Sequence, residues 1–416
     1  MRMDTLSTCA TSPEVGRFQK NDVMWARIKK LTKTRIEIEI QNVSEPIFWE
    51  VPADMPLNLS RARLANFLAI AAFPFALRAG RNLKIDGKVD RELARNLLQF
   101  SIAWSQYRPE IFKRSVRVVA NSYTDPVWPR LRRSGYACAY SGGIDSTFAM
   151  SLGRTKSHMR EFPPISLAIM IDGFGFDLEE PQNFDRTFAE GKTYCAKLGV
   201  PLTSVRTNWP SAIKIYQLMH TIGIAAVFHL RADKVDGGYI GMDFTFDEEF
   251  ELGPWGNSAL MSRHYSAAGF QVGPTGGEVS RVRKLHALIK NGDDHHLTVC
   301  NNPLKLLKNC GTCEKCQRTM LAYRSLGKEP VEGMFQHALS LESAGELRIS
   351  KLTQWVFYSR MARTWKNKRD PYLEIVRKMV TLAKAEGFPF NHDRKIAKAA
   401  RTADIPSAVP PMDGLV

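Results

Sequence analysis

Apolar and polar positions alternate near the start of the chain. Val23-Met24-Trp25-Ala26-Arg27-Ile28 and Arg35-Ile36-Glu37-Ile38-Glu39-Ile40 follow a period of two and predict strands. Residues 61–78 carry an apolar helical pattern, and residues 90–104 carry another after a turn at Asp86-Gly87-Lys88. Residues 115–120 predict a further strand. Residues 1–133 therefore read as a small α+β accessory domain without a catalytic motif. It ends in a basic, proline-containing linker at 126–133.

From residue 134 the pattern alternates strand with helix. Residues 136–140 form a strand of small residues, and residues 147–152 are helical. Residues 165–171 are apolar except for Ser166, which fits a buried parallel strand. A helix at 183–198, a strand at 202–207, a helix at 211–233 and a strand at 238–244 follow. This order predicts an α/β fold for 134–330, a doubly wound, Rossmann-like parallel sheet with ligands at the carboxyl ends of its strands. Residues 331–416 read as a helical module, with Trp355, Phe357, Tyr358, Met361 and Trp365 at helical spacing.

Composition narrows the picture. With 416 residues the chain has room for two or three domains, and its 44% apolar content is ordinary for a globular protein. The longest apolar run, residues 67–77, contains Pro74 and is too short to span a bilayer, and no apolar signal core follows Met1. A cytoplasmic protein without a membrane segment is expected. Seven cysteines, an odd number, do not suggest a disulfide framework. Lys and Arg exceed Asp and Glu by 58 − 42 = 16, which fits an anionic partner such as a nucleotide, RNA or DNA, or simply a soluble protein with a nucleotide site. Residues 351–401 hold 13 basic and 4 acidic residues, a surplus of +9. That module is either a solvated basic face around an aromatic core or a surface for a phosphate backbone.

The strand at 136–140 runs into Tyr140-Ser141-Gly142-Gly143-Ile144-Asp145-Ser146 and then into a helix. A strand, a glycine turn and a helix N-terminus form an anion site, because turn N–H groups point inward and the helix dipole adds positive potential. Gly142 and Gly143 permit close approach of a phosphate, and Ser141 and Ser146 add hydroxyl donors. Asp145 would repel a phosphate, so its role is to orient the loop or to face a magnesium ion. The loop lacks the Lys of a Walker A motif.

A second constellation is Cys300-x9-Cys310-x2-Cys313-x2-Cys316, with Gly311 to turn the chain back. Four thiolates at this spacing suit a closed tetrahedral zinc site. An iron–sulfur cluster and a redox cysteine pair are the alternatives. Lys308, Lys315 and Arg318 would offset its negative charge. Cys9, Cys138 and Cys195 lack metal spacing, and Cys138 reads as core. His295 and His296 read as solvated loop residues.

Ser141 to Ser146 resembles the PP-loop of the ATP pyrophosphatase superfamily. The loop together with the cysteine set resembles 7-cyano-7-deazaguanine synthases, over about residues 134–330, half the chain. The long N-terminal block and the basic helical tail are additions. The family's Arg after the last Cys falls one position later than Arg318. The resemblance implies an adenine nucleotide alpha hydrolase type of fold. It further implies cleavage of ATP between the α and β phosphates with Mg2+, adenylation of a carboxylate or amide oxygen, and attack by an amine. Asp145 and Ser146 would act in catalysis. Tyr140, Ser141, Gly142 and Gly143, with Asp145 and Ser146, would hold the nucleotide, and Arg281 and Lys284 would meet the β,γ phosphates in catalysis; the other reading of that pair is a basic helix start on the surface. Asp172 and Asp243 lie just past apolar strands, where this fold places its ligands: Asp172, with Ile171, would sit near the adenosine and Asp243 would hold magnesium, or each is only a strand-end cap. The acceptor implied is a small deazapurine or a peptide or protein. Some similar proteins with added domains sit in bacterial antiviral defence clusters. Thiolation of a tRNA base, and a silent nucleic-acid-binding adaptor, are the other readings.

Overall fold

A computed structural model describes residues 22–125, 135–155, 159, 161–253, 255–300 and 309–387. The early alternation forms β1 (Val23–Leu31), β2 (Arg35–Ile40) and β3 (Ile47–Glu50), an antiparallel meander. Ile36, Ile38, Ile40, Ile47 and Trp49 are all buried, so the period of two marks a single core face. Helix α1 (Arg61–Ala79) starts where Ser60 Oγ accepts from Arg63 N and ends at Gly80, in the left-handed region at φ 62°. Then come β4 (Asn82–Asp90), α2 (Arg91–Tyr107) and β5 (Val118–Thr124), with β4 parallel to both β1 and β5. The turn expected at residues 86–88 is instead an irregularity inside β4, where its register with β5 shifts between Ile85 and Lys88.

The second half runs β6 (Tyr136–Ala139), α3 (Ile144–Leu152), β7 (Ile165–Asp172), α4 (Pro181–Lys197), β8 (Leu202–Thr207), α5 (Tyr216–Leu230), β9 (Gly237–Gly241), α6 (Phe246–Leu252), β10 (Gln271–Thr275) and α7 (Arg281–Asn291). Its five strands are all parallel, in the order β10-β9-β6-β7-β8. This is a Rossmann-like arrangement whose order reverses between β6 and β9. The helix expected over 211–233 divides, because a short turn at Trp209–Ala212 ends before α5 begins.

The sheet does not stop at residues 133–134. Strand β3 pairs antiparallel with β8 through Trp49 with Thr207 and Glu50 with Arg206, giving ten strands in the order β10-β9-β6-β7-β8-β3-β2-β1-β4-β5. Asn208 clasps the seam: its Oδ1 accepts from Phe48 N at 2.9 Å and its Nδ2 donates to Pro46 O at 3.2 Å. Trp209, fully buried, donates from Nε1 to Ala71 O of α1 at 2.9 Å. One apolar core runs through both halves. Among the described residues α1 is long and apolar enough to cross a membrane, yet 67% of its apolar window is buried against the rest of the fold. A second core gathers α3, α7, α8 (Glu314–Ser325), α9 (Leu352–Thr364) and α10 (Pro371–Ala385). Phe357, Tyr358, Met361 and Trp365 are buried, so most of the aromatic spacing in the C-terminal module is core. The linker at 126–133 lies outside the described residues, as do Cys9, Lys308 and the basic residues from 388 onward.

Candidate functional site

The Ser141–Ser146 turn sits at the carboxyl end of β6, where the strand order reverses and this architecture opens a crevice. Gly142 stands at φ 75°, and a Cβ there would meet Thr298 Cβ at 3.3 Å. Its carbonyl accepts from Thr298 N at 2.8 Å. Ser146 Oγ accepts from Ser141 N, lies beside Ser141 Oγ and donates to Gly143 O, each at 3.1 Å. Gly143 precedes α3 without a side chain to cap its first-turn N–H groups. The Tyr140 ring is buried and stacks on Tyr194, so only its backbone belongs to the loop. The end of β9 presses on the turn: a Cβ at Gly241 would meet Asp145 O at 2.9 Å.

Asp145, in the first turn of α3, is buried and double-clamped by α7. Lys284 Nζ lies 3.3 Å from its Oδ1 and Arg281 Nη2 lies 3.2 Å from its Oδ2. Lys284 is fully buried and also donates to Met242 O. The Asp243 carboxyl is held above its usual range, first by burial and then by the Asp145 charge, while Arg281, His220 and Lys284 oppose the rise. Burial pulls His220 below its ordinary value against the pull of Asp243, and burial plus Asp243 pushes Tyr216 up to about 12. Six groups on α3, α5, α7 and the turn after β9 thus share one electrostatic cluster. Tyr216 and His220 were not anticipated from sequence. Their only signal is spacing by one helical turn at the start of α5.

The C-terminal module reaches this cluster. Phe357 of α9 stacks on Phe244 at 4.5 Å, and the Arg281 and Arg318 guanidiniums lie 4.9 and 4.5 Å from its ring centroid. Arg360 pairs with Asp247 at 2.7 Å, Glu251 at 2.9 Å and Glu248 at 3.8 Å on α6. A cleft partly open to solvent lies between α7, α8 and α9, with about 440 Å3 of space counted out to the solvent.

Asp172 and Ile171 stand apart. Asp172 is buried at the end of β7, 3.6 Å from Arg206, and its carboxyl is raised by burial against that guanidinium. Its other charged neighbours are Asp185 and Glu50, not the Asp145 cluster. The Ile171 side chain lies in the core.

The four cysteines converge. Cys300 Sγ lies 3.8 Å from Cys313 Sγ, Cys310 Sγ lies 3.8 Å from Cys316 Sγ, and all four sulfurs fall within 4.8 Å of one another. A regular tetrahedron with metal–sulfur bonds of ~2.3 Å has sulfur–sulfur edges of ~3.8 Å, so the set fits a metal such as zinc. Cys313 N and Thr312 Oγ1 donate to Cys310 Sγ, which favours its thiolate. Gly311, at φ 80°, allows the turn; a Cβ there would meet His337 O at 2.1 Å. Buried Asn309 binds the two arms of the site together. Its Oδ1 accepts from Val299 N and Cys300 N, and its Nδ2 donates to Leu297 O and Met334 O. Cys138 and Cys195 are buried, and burial pushes the Cys195 thiol up to about 12. His295 is exposed as expected, but His296 is half-buried against Tyr194, 4.0 Å from Glu190, because α4 packs over its loop.

No family model matches this chain, and neither curated proteins nor solved structures give a match.

Proposed function

We propose that the chain is an ATP-dependent adenylating enzyme of the PP-loop kind, with an adenine nucleotide alpha hydrolase type of fold, related in chemistry to 7-cyano-7-deazaguanine synthase. One observation carries this reading: the glycine turn lies at the reversal point of a parallel sheet, with Asp145, Asp243, Arg281 and Lys284 converging beside it. The turn and the α3 N-terminus would hold phosphate oxygens, with Ser141 and Ser146 as hydroxyl donors. Asp145 and Asp243 would hold magnesium, whose charge would lower the Asp243 carboxyl again. A substrate carboxylate oxygen attacks the α-phosphorus, the bond to the bridging oxygen breaks, and pyrophosphate leaves beside Arg281. An amine nitrogen then attacks the acyl carbon, the bond from that carbon to the AMP oxygen breaks, AMP leaves, and the nitrogen's proton passes to solvent. Catalysis rests on positioning and on fixed charge.

The cysteine site would hold zinc structurally, with all four positions filled by sulfur and none open to water. Free thiolates of this kind fit a reducing cytoplasm. Burial of Cys138 and Cys195 weighs against thiolation, since a sulfur carrier must reach its substrate.

Calorimetry of the full chain with ATP and Mg2+, then product analysis with a carboxylate panel, tests the reading. Binding and release of AMP with pyrophosphate are expected, and Ser146→Ala should weaken binding at least tenfold. Release of ADP and phosphate, or no ATP binding at millimolar concentration, would overturn it.

A further inference from the structure

Arg318 is 8% exposed, yet its guanidinium is barely used. It offers five N–H donors. Among the described residues it makes one ion pair, to Glu314 Oε1 at 3.2 Å, and lies over the Phe357 ring at 4.5 Å. That Glu314 oxygen is shared with the Tyr358 hydroxyl, which donates to it at 3.0 Å. The other cations of the pocket are matched: Arg281 by Asp145, and Arg360 by Asp247, Glu248 and Glu251. The pocket therefore presents one buried guanidinium with open donors. Its apolar wall is Ile144, Val282, Ala322 and Met361; Ser280 and Thr319 add hydroxyls, and Glu248 is held by Arg360.

This combination selects a ligand class. The planar guanidinium fork matches one carboxylate, two parallel N–H···O bonds at a time. The apolar walls suit an apolar body behind that carboxylate. A multivalent phosphate would lose its hydration against those walls without a second free cation to replace it. Arg281 lines the pocket and also pairs with Asp145, so the pocket opens beside the Ser141–Ser146 turn. Arg318 lies close to the cysteine cluster along α8: Cys313 is the residue before the helix, and Cys316 stands about half a turn ahead of the arginine.

We propose that the pocket between α7, α8 and α9 binds a monoanionic carboxylate on an apolar body through Arg318, and that this is the acceptor. The second clause rests on the adenylating reading; the first does not.

The test uses the full chain and benzoate, followed by ligand-observed NMR titration, with benzyl alcohol as the uncharged control. Saturable benzoate binding in the millimolar range is expected, with none for benzyl alcohol. Arg318→Gln should weaken it at least tenfold, and Arg318→Lys should weaken it less. Thr364→Trp, at an exposed position on the pocket mouth, should block it without touching the guanidinium. Unchanged benzoate binding in a cooperatively folded Arg318→Gln variant overturns the proposal, as does displacement of benzoate by equimolar inorganic phosphate. ATP binding, measured in parallel, should not change in Arg318→Gln. A chain that binds benzoate but not ATP keeps the pocket and sinks the adenylating reading. A chain that binds ATP but not benzoate does the reverse.

Discussion

Lys284 has no access to water, and Asp145 neutralises it across 3.3 Å. Removing Asp145 leaves the buried Lys284 charge without its ion-pair partner, with only the Asp243 carboxyl, itself held above its usual range, to answer it. Asp145→Ala should therefore cost about 3–5 kcal/mol of stability by urea denaturation. Pairing Asp145→Asn with Lys284→Met should recover most of that stability while ATP turnover stays lost. A loss below about 1 kcal/mol for Asp145→Ala would contradict the pair. His229 makes a different prediction. It is buried, its Nε2 lies 2.8 Å from Tyr265 O, and its ring meets Phe270 at 4.4 Å. Burial, helped by the Arg63 charge, lowers it from 6.5 to about 4. A histidine depressed in the folded state contributes stability above its unfolded value, and loses it as pH falls through the folded one. Stability should decline by about 3 kcal/mol between pH 6.5 and 4, and His229→Gln should flatten that slope. An identical pH profile in the variant would assign the acid sensitivity elsewhere.

The cysteine loop shows what one element owes to another. Zinc bound by Cys300, Cys310, Cys313 and Cys316 would fix the start of α8, so elemental analysis should give one zinc per chain. Chelation should loosen α8 and release its amides to hydrogen exchange before the sheet's. Iron with a visible absorbance band would sink the zinc assignment. The Cys-x9-Cys-x2-Cys-x2-Cys spacing makes this convergence legible in sequence, because short loops allow little else. The same holds for the Gly142 turn, where neighbouring strand and helix patterns fix the geometry. Asn309 is not legible, since a clasp with four hydrogen bonds leaves no period. The β3 and β10 strands escape for a related reason. Four or five residues, with Pro274 in β10 and only two pairs joining β3 to β8, carry too little alternation. Phe357 reads as core at helical spacing, and it is; its second role, as a platform for two guanidiniums, depends on tertiary packing alone.

At the scale of the molecule, the three segments expected from sequence share structure. Phe357, Tyr358, Met361 and Trp365 belong to cores shared with the rest of the chain, so cutting the chain near residue 345 would damage more than a surface. A polyanion surface is better probed by charge reversal at exposed Lys366, Lys368, Arg377 and Lys378. RNA binding at low salt is expected to fall with a slope near −0.7 per phosphate contact, and the reversed variant should lose both affinity and slope. No binding at low salt would leave the module a packing role. Deletion of residues 1–133 should prevent folding, because β8 loses a neighbour and α5 loses the cover of α1. A soluble, cooperatively unfolding fragment 134–416 would contradict this.

The seam between β3 and β8 also sets a clock. Phe48 and Asn208 bond across 160 positions of sequence. A ribosome adding ~5–20 residues per second needs roughly 8–30 s to make the second partner after the first. Until then the nascent N-terminal half carries β3 as an open edge, able to pair with any other extended chain. Growth temperature and translation speed should therefore govern the soluble yield of this protein more strongly than its final stability does.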